Sequence, residues 1–130
     1  MAAQLRAGIL GGGFMAEVHT RAIRAAGHEV VMIASSSTSS SVKAAANLGI
    51  DQIAESAFEL IAASDIDVVH VCTPNAFHTE QAGLAIAAGK AVVCEKPLAT
   101  TVADAKSLFE RASEAGVATA VPFVYRFYPA

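Results

Sequence analysis

What this sequence has little of narrows its chemistry first. It has no tryptophan and only two cysteines, Cys72 and Cys94, each inside an apolar run. Strand cysteines of that kind act as small buried hydrophobes more readily than as a disulfide pair. Four histidines are scattered along 130 residues with no CxxC or HxxxH spacing, so no metal site is supported. Charged residues make up only 16%, the formal net charge is −3, and no basic stripe occurs, which argues against a nucleic-acid partner. No apolar run reaches the ~20 residues that a membrane-spanning helix needs. The first residues, Met1 to Arg6, lack the basic, apolar and cleavage segments of a secretion signal, so the expected compartment is the cytoplasm.

What is there is a chain long enough for one buried core, 54% hydrophobic and rich in Ala, Val and Ile. Strand and helix patterns alternate throughout, the pattern of βαβ units. Strands are expected at Leu5 to Leu10, Glu29 to Ala34, Ile50 to Ile53, Asp67 to Cys72, Ala91 to Cys94 and Val117 to Val121. Helices are expected over Phe14 to Ala26, Val42 to Leu48, Ser56 to about Ala63, Phe77 to Ala88 and Thr101 to Gly116. The serine-rich segment Ser35 to Ser41 reads as a connecting loop. Asn75 reads as the cap of the helix that follows it. The fold expected is α/β, a doubly wound, mainly parallel sheet covered on both faces.

Gly11-Gly12-Gly13-Phe14-Met15-Ala16 fits G-x-G-x-x-G/A directly after an apolar strand and at the start of a helix. Such a turn needs a glycine for the bend, open backbone where a pyrophosphate approaches, and a small residue for helix packing. The helix amino terminus adds N–H donors for phosphate. Gly11, Gly13, Phe14, Met15 and Ala16 are therefore expected to bind a dinucleotide. An Asp or Glu past the second strand would select NAD by bonding the ribose 2′-hydroxyl, and an arginine would mark NADP. Neither occurs between Val30 and Val42. Ser35, Ser36 and Ser37 stand there instead, with Thr38 next. Their hydroxyls suit a 2′-phosphate, which favours NADP, or they form a polar loop that discriminates little.

Thr73, Pro74 and Asn75 end the fourth strand and wall the crevice on the nicotinamide side, with His78 close by. Lys96 follows the fifth strand at the edge where ligands bind in parallel sheets. A lysine in a crevice beside a nicotinamide suits proton transfer, and Pro97 restricts its backbone and fixes its aim. Glu95 is expected to pair with Lys96 and line the site. His19 reads as packing at the contact of the first helix with the sheet, His70 as a buried histidine with a hydrogen-bond partner, and His28 as solvated.

The Gly-rich turn, His19, Thr73-Pro74-Asn75 with His78, and Ala88-Gly89-Lys90-Ala91-Val92-Val93-Cys94-Glu95-Lys96-Pro97 together resemble the glucose-fructose oxidoreductase, inositol dehydrogenase and rhizopine-catabolism (Gfo/Idh/MocA) family over essentially the whole chain. The resemblance implies a Rossmann domain for NAD or NADP over residues 1–122. It implies that Lys96 moves a proton to or from the substrate oxygen, with Pro97 often in a cis peptide. Residues 123–130, aromatic and uncapped, resemble the start of the connection to a carboxy-terminal α+β domain. That domain would hold substrate contacts, a second catalytic group and the oligomer interface. The function expected is the cofactor half of an oxidoreductase acting on a sugar, inositol or related hydroxy or carbonyl compound. The alternative is a non-catalytic or regulatory dinucleotide-binding module.

Overall fold

A computed structural model describes residues 2–129. Elements alternate from β1 (Arg6–Leu10), α1 (Phe14–Ala25), β2 (Glu29–Ala34), α2 (Thr38–Leu48) and β3 (Gln52–Ile53) to α3 (Ala57–Ala62) and β4 (Val68–Val71). A 3-10 turn at Asn75–Phe77 leads into α4 (His78–Ala87), then β5 (Ala91–Cys94), α5 (Val102–Ala115), β6 (Thr119–Ala120) and a second 3-10 turn at Val124–Phe127. All neighbouring strands pair in parallel, in the order β3-β2-β1-β4-β5-β6. The chain leaves β1 toward one edge and returns to its other side at β4. The gap between β1 and β4 at their carboxyl ends is thus a topological switch point, where such sheets bind ligands.

The two faces are separate cores. Ala7 and Ile9 of β1 pack with Ala16 and Ile23 of α1 and Ala44 and Ala45 of α2. Leu10, Val69, Val71 and Val92 pack on the opposite face with Leu60, Ile61, Ala82, Ile86 and Leu108 from α3, α4 and α5. Period-2 alternation along each strand sends successive residues to opposite cores. Small residues let α3 sit close to the sheet: a Cβ on Gly8 would stand 2.7 Å from the Leu60 side chain.

Helix ends follow local chemistry. Ser56 and Thr101 accept from the N–H groups of Glu59 and Asp104, and Glu59 reaches back to the Glu55 N–H. Gly49 and Gly116 close α2 and α5 in the left-handed conformation.

Four local expectations need correction. The serine-rich segment is not a loop up to Val42. Ser37 accepts from the Ser40 N–H, which starts α2 at Thr38 and turns the serines into its first turn. Asn75 caps no helix; it opens the 3-10 turn, and neither that turn nor α4 has a side-chain cap. The third and sixth strands shrink to two residues each, because an edge strand has pairing partners on one side only. His28 is not simply solvated: its Nδ1 accepts from the Leu5 N–H at 3.1 Å and ties the β2 entry to the start of the chain.

Candidate functional site

At the carboxyl ends of β1, β2, β4 and β5 the connecting turns enclose two adjoining hollows, of about 760 and 310 Å³, which share Met15, Cys72 and Thr73. The larger is floored by Gly11, Gly12 and Gly13 and walled by Ser35 and Ser36 on one side and Thr73 and Pro74 on the other. The smaller contains Asn75, His78, Glu95 and Lys96, with Phe123 and Tyr125 of the tail across from them. A trough of two connected hollows, the smaller a chamber that holds the Glu95 and Lys96 side chains on a mainly apolar lining, is the outcome of this topology.

The glycine turn has clear steric reasons. Gly11 adopts φ +109°, and a Cβ there would lie 2.5 Å from the Cys72 carbonyl oxygen. The first and fourth strands can approach at the switch point only with glycine in that place. A Cβ on Gly12 would meet the Ser35 hydroxyl at 2.8 Å, whereas Gly13 faces open space. Gly13 is the N-cap of α1 and offers no capping side chain. The first-turn N–H groups therefore point into the trough with no side-chain acceptor, an arrangement that receives an anion. Ala16 is fully buried beneath this turn, as its packing role requires.

At the far wall, Ser35 and Ser36 line the trough while Ser37 is spent on the α2 cap. The Ser35 hydroxyl also bonds that of Ser40, and the Ser35 N–H bonds Ser41. No carboxylate follows β2, but Glu55, from the turn after β3, lines the same hollow. Sequence reasoning missed Glu55, Phe77 and Gln81 as lining residues. Gln81 had a signal: one turn into α4, it accepts from the Thr73 hydroxyl at 2.6 Å and holds that turn.

Lys96 and Glu95 do reach one chamber, but they are not paired as expected. The Glu95 carboxylate is buried, accepts from His19 Nε2 at 2.8 Å, and takes the Lys96 main-chain N–H on its other oxygen at 3.1 Å. His19, on α1, is therefore more than packing: its Nδ1 lies 2.9 Å from Nδ1 of His70 on β4. Burial, with the neighbouring His19 adding, pulls the His70 ring down to about 4, so it is neutral at neutral pH. The Lys96–Pro97 peptide is cis.

His78 lines the chamber, yet its polar atoms are spent elsewhere. It is 1% exposed, with Nδ1 against the Pro97 carbonyl at 2.7 Å and Nε2 against the Thr73 carbonyl at 2.8 Å. It lines the chamber while joining the turn after β4 to the Lys96–Pro97 segment, with both ring nitrogens engaged by main-chain carbonyls. Cys72 and Cys94 stay thiols: burial, with the Glu95 charge adding, pushes Cys94 up to about 12 and Cys72 higher still. Neither serves as a nucleophile at neutral pH.

A family model described as "Oxidoreductase family, NAD-binding Rossmann fold" matches residues 5–123. Over 96 residues the chain is 47% identical to a 1,5-anhydro-D-fructose reductase of Ensifer adhaerens, covering 74% of this chain and 29% of that protein. A levoglucosan dehydrogenase solved with NADH and levoglucosan superposes at TM-score 0.89 and 32% identity, over 95% of this chain and 36% of that one. A biliverdin reductase from Synechocystis, solved with biliverdin and NADP+, superposes at TM-score 0.88 and 32% identity, over 95% and 39%. The chain thus spans about a third of the length of these relatives.

Proposed function

This chain belongs to the Gfo/Idh/MocA oxidoreductase family, with its NAD-binding Rossmann fold, and from that premise we propose that it is the nucleotide-binding half of an NAD(P)-dependent oxidoreductase. Its substrate would be a sugar, inositol or related hydroxy or carbonyl compound. The observation that carries this reading is the open Gly13 N-cap beside the steric requirement at Gly11, continuous with a chamber that holds Lys96. Residues 1–122 form the cofactor domain, and 123–130 begin the connection to a substrate domain, which would also supply any oligomer contacts. The levoglucosan dehydrogenase complex, with NADH and a sugar derivative bound, supports the substrate class. No helix of the described residues is long and apolar enough to cross a membrane. A cytoplasmic enzyme is our reading.

The roles divide along the trough. Gly11, Gly13, Phe14, Met15 and Ala16 shape the pyrophosphate site, and the uncapped N–H groups of α1 bind its oxygens. Ser35 and Ser36 border the adenosine ribose, with Ser37 behind them as the α2 cap; no acid stands directly after β2, which favours NADP, although Glu55 lines the same hollow. Thr73, Pro74, Asn75, Glu95 and Pro97 enclose the nicotinamide side. The bound nicotinamide supplies hydride chemistry at its ring. Lys96 gives or takes the proton of the substrate oxygen as charge develops there. The buried Glu95 carboxylate fixes the Lys96 main chain through its N–H, so the amine projects from a held backbone. His78 holds the turn after β4 against the Pro97 carbonyl and keeps the two walls in register.

Titration of the chain with NADH and NADPH, followed by nicotinamide fluorescence, tests the reading. Saturable binding of at least one is expected, with NADPH the tighter. Binding of neither would remove the function, and a clear preference for NADH would reverse the cofactor assignment.

A further inference from the structure

Glu55 is left without a role by the assignments above, yet its place in the fold is closely held. β2 and β3 pair with Ile33 against Ile53, and the Ala54 N–H extends the ladder to the Ile33 carbonyl at 2.9 Å. Two residues further along that register, Ser35 and Glu55 leave the sheet side by side, on strands about 5 Å apart. The Glu55 main-chain N–H is taken by the Glu59 carboxylate at 3.0 Å, and Ser56 caps α3 directly after it. The Glu55 side chain is exposed, and among the described residues no ion pair engages it.

Charge around the larger hollow is of one sign. Among the described residues that line it, Glu55 is the one charged side chain. Lys43, the nearest cation in sequence to the serines, lies on α2 and outside that lining. Glu59, turned back toward the Glu55 N–H, adds a second negative group behind it. Against these stand hydroxyls. Ser36 is exposed at the rim, Ser35 shares its hydroxyl with Ser40, and Ser37 is engaged in the α2 cap. Hydroxyl donors and the dipole at the start of α2 attract a phosphate. A carboxylate repels one, whereas it accepts a hydrogen bond from a ribose hydroxyl.

We propose that Glu55 is a specificity-determining residue: its negative charge beside Ser35 opposes a 2′-phosphate and keeps NAD competitive at a site whose hydroxyls favour NADP. This rests on the reading above that the adenosine ribose lies beside Ser35 and Ser36. The part that a Rossmann domain commonly gives to an acid past the second strand is here taken by one past the third, a single strand across the sheet. The consequence is a narrow preference between the two nucleotides. The serines set its direction, and Glu55 limits its size.

The ratio of NADPH to NADH affinity, read by nicotinamide fluorescence, isolates this end of the trough, because the two nucleotides differ only in the 2′-phosphate. E55Q keeps the shape and removes the charge. In it the ratio should rise about fivefold at low salt, the order expected for a phosphate several ångströms from an exposed carboxylate. Charge reversal in E55K should raise it further. A second measurement needs no variant: in the unsubstituted chain the ratio should itself climb as salt is raised to about 0.5 M and screens the repulsion. An unmoved ratio in E55Q, no further rise in E55K, or a ratio that falls with salt in the unsubstituted chain overturns the proposal. If the unsubstituted chain binds neither nucleotide, the functional reading fails and takes this inference with it. Saturable binding with an unmoved ratio overturns the inference alone.

Discussion

Acid should destabilise this domain through His70. A histidine buried neutral has a folded pKa below its unfolded one, so the unfolded chain binds more protons between the two. Stability is then complete above the unfolded value and lost as pH falls toward the folded one. For His70 the interval runs from 6.5 down to about 4. At ~1.4 kcal/mol for each pH unit, its protonation weakens the fold by about 3 kcal/mol at the acid end. That is a large part of the ~5–15 kcal/mol by which domains are stable. The comparison is between the unsubstituted chain and H70N, by urea unfolding at pH 7 and pH 4.5 with circular dichroism. The asparagine keeps a donor toward His19 but does not titrate. The loss between the two pH values should be about 2–3 kcal/mol smaller in H70N. Asp67, held at about 2 by the Arg6 guanidinium, titrates below this window and acts alike in both chains. Equal losses in the two chains would refute the account of His70.

Other perturbations reach other parts of the molecule. Replacing Gly11 with alanine costs about 1–3 kcal/mol from the backbone conformation alone; its Cβ would also meet the Cys72 carbonyl at 2.5 Å. Both a lower urea midpoint and weaker nucleotide binding should follow, and a fully stable, tightly binding G11A would refute the steric reading of the turn. Leu60→Ala empties a fully buried site over Gly8 and should cost about 2–5 kcal/mol by denaturant titration; a cost near zero would mean that α3 does not seal this core. In a full-length protein containing this chain, Lys96→Ala should lower turnover by about 10²–10⁴-fold. Nucleotide affinity should change little, and unaltered turnover with a cognate sugar would take Lys96 out of the mechanism.

Much of the fold is written in short-range patterns. The runs around Ile9, Ile33, Val69 and Val92 have strand character, and glycines at 49 and 116 mark helix ends. The Ser56 and Thr101 caps are equally local signals. The glycine turn was legible because its demands, a bend, an open approach and a small packing residue, fall within six consecutive positions. The start of α2 was not, since a run of serines suits a loop as well as a first helical turn. Only the bond from the Ser40 N–H to Ser37 decides between them. The environment of Glu95 was least legible. Its partner His19 lies 76 positions before it in sequence, and His70, which meets the other nitrogen of His19, lies 25 positions before it; the fold alone brings the three together. An adjacent lysine is the obvious partner in sequence, but successive residues of extended chain project to opposite sides. Glu95 turns into the core toward His19, and Lys96 meets its carboxylate through the main-chain N–H.

The most direct test is a crystal structure of the chain with NADPH or NADH bound. The pyrophosphate should rest on the N–H groups following Gly13, with the nicotinamide beside Lys96 in the chamber lined by Met15, Asn75 and Glu95. A nucleotide bound elsewhere, or a ring placed out of reach of the Lys96 amine, would contradict it.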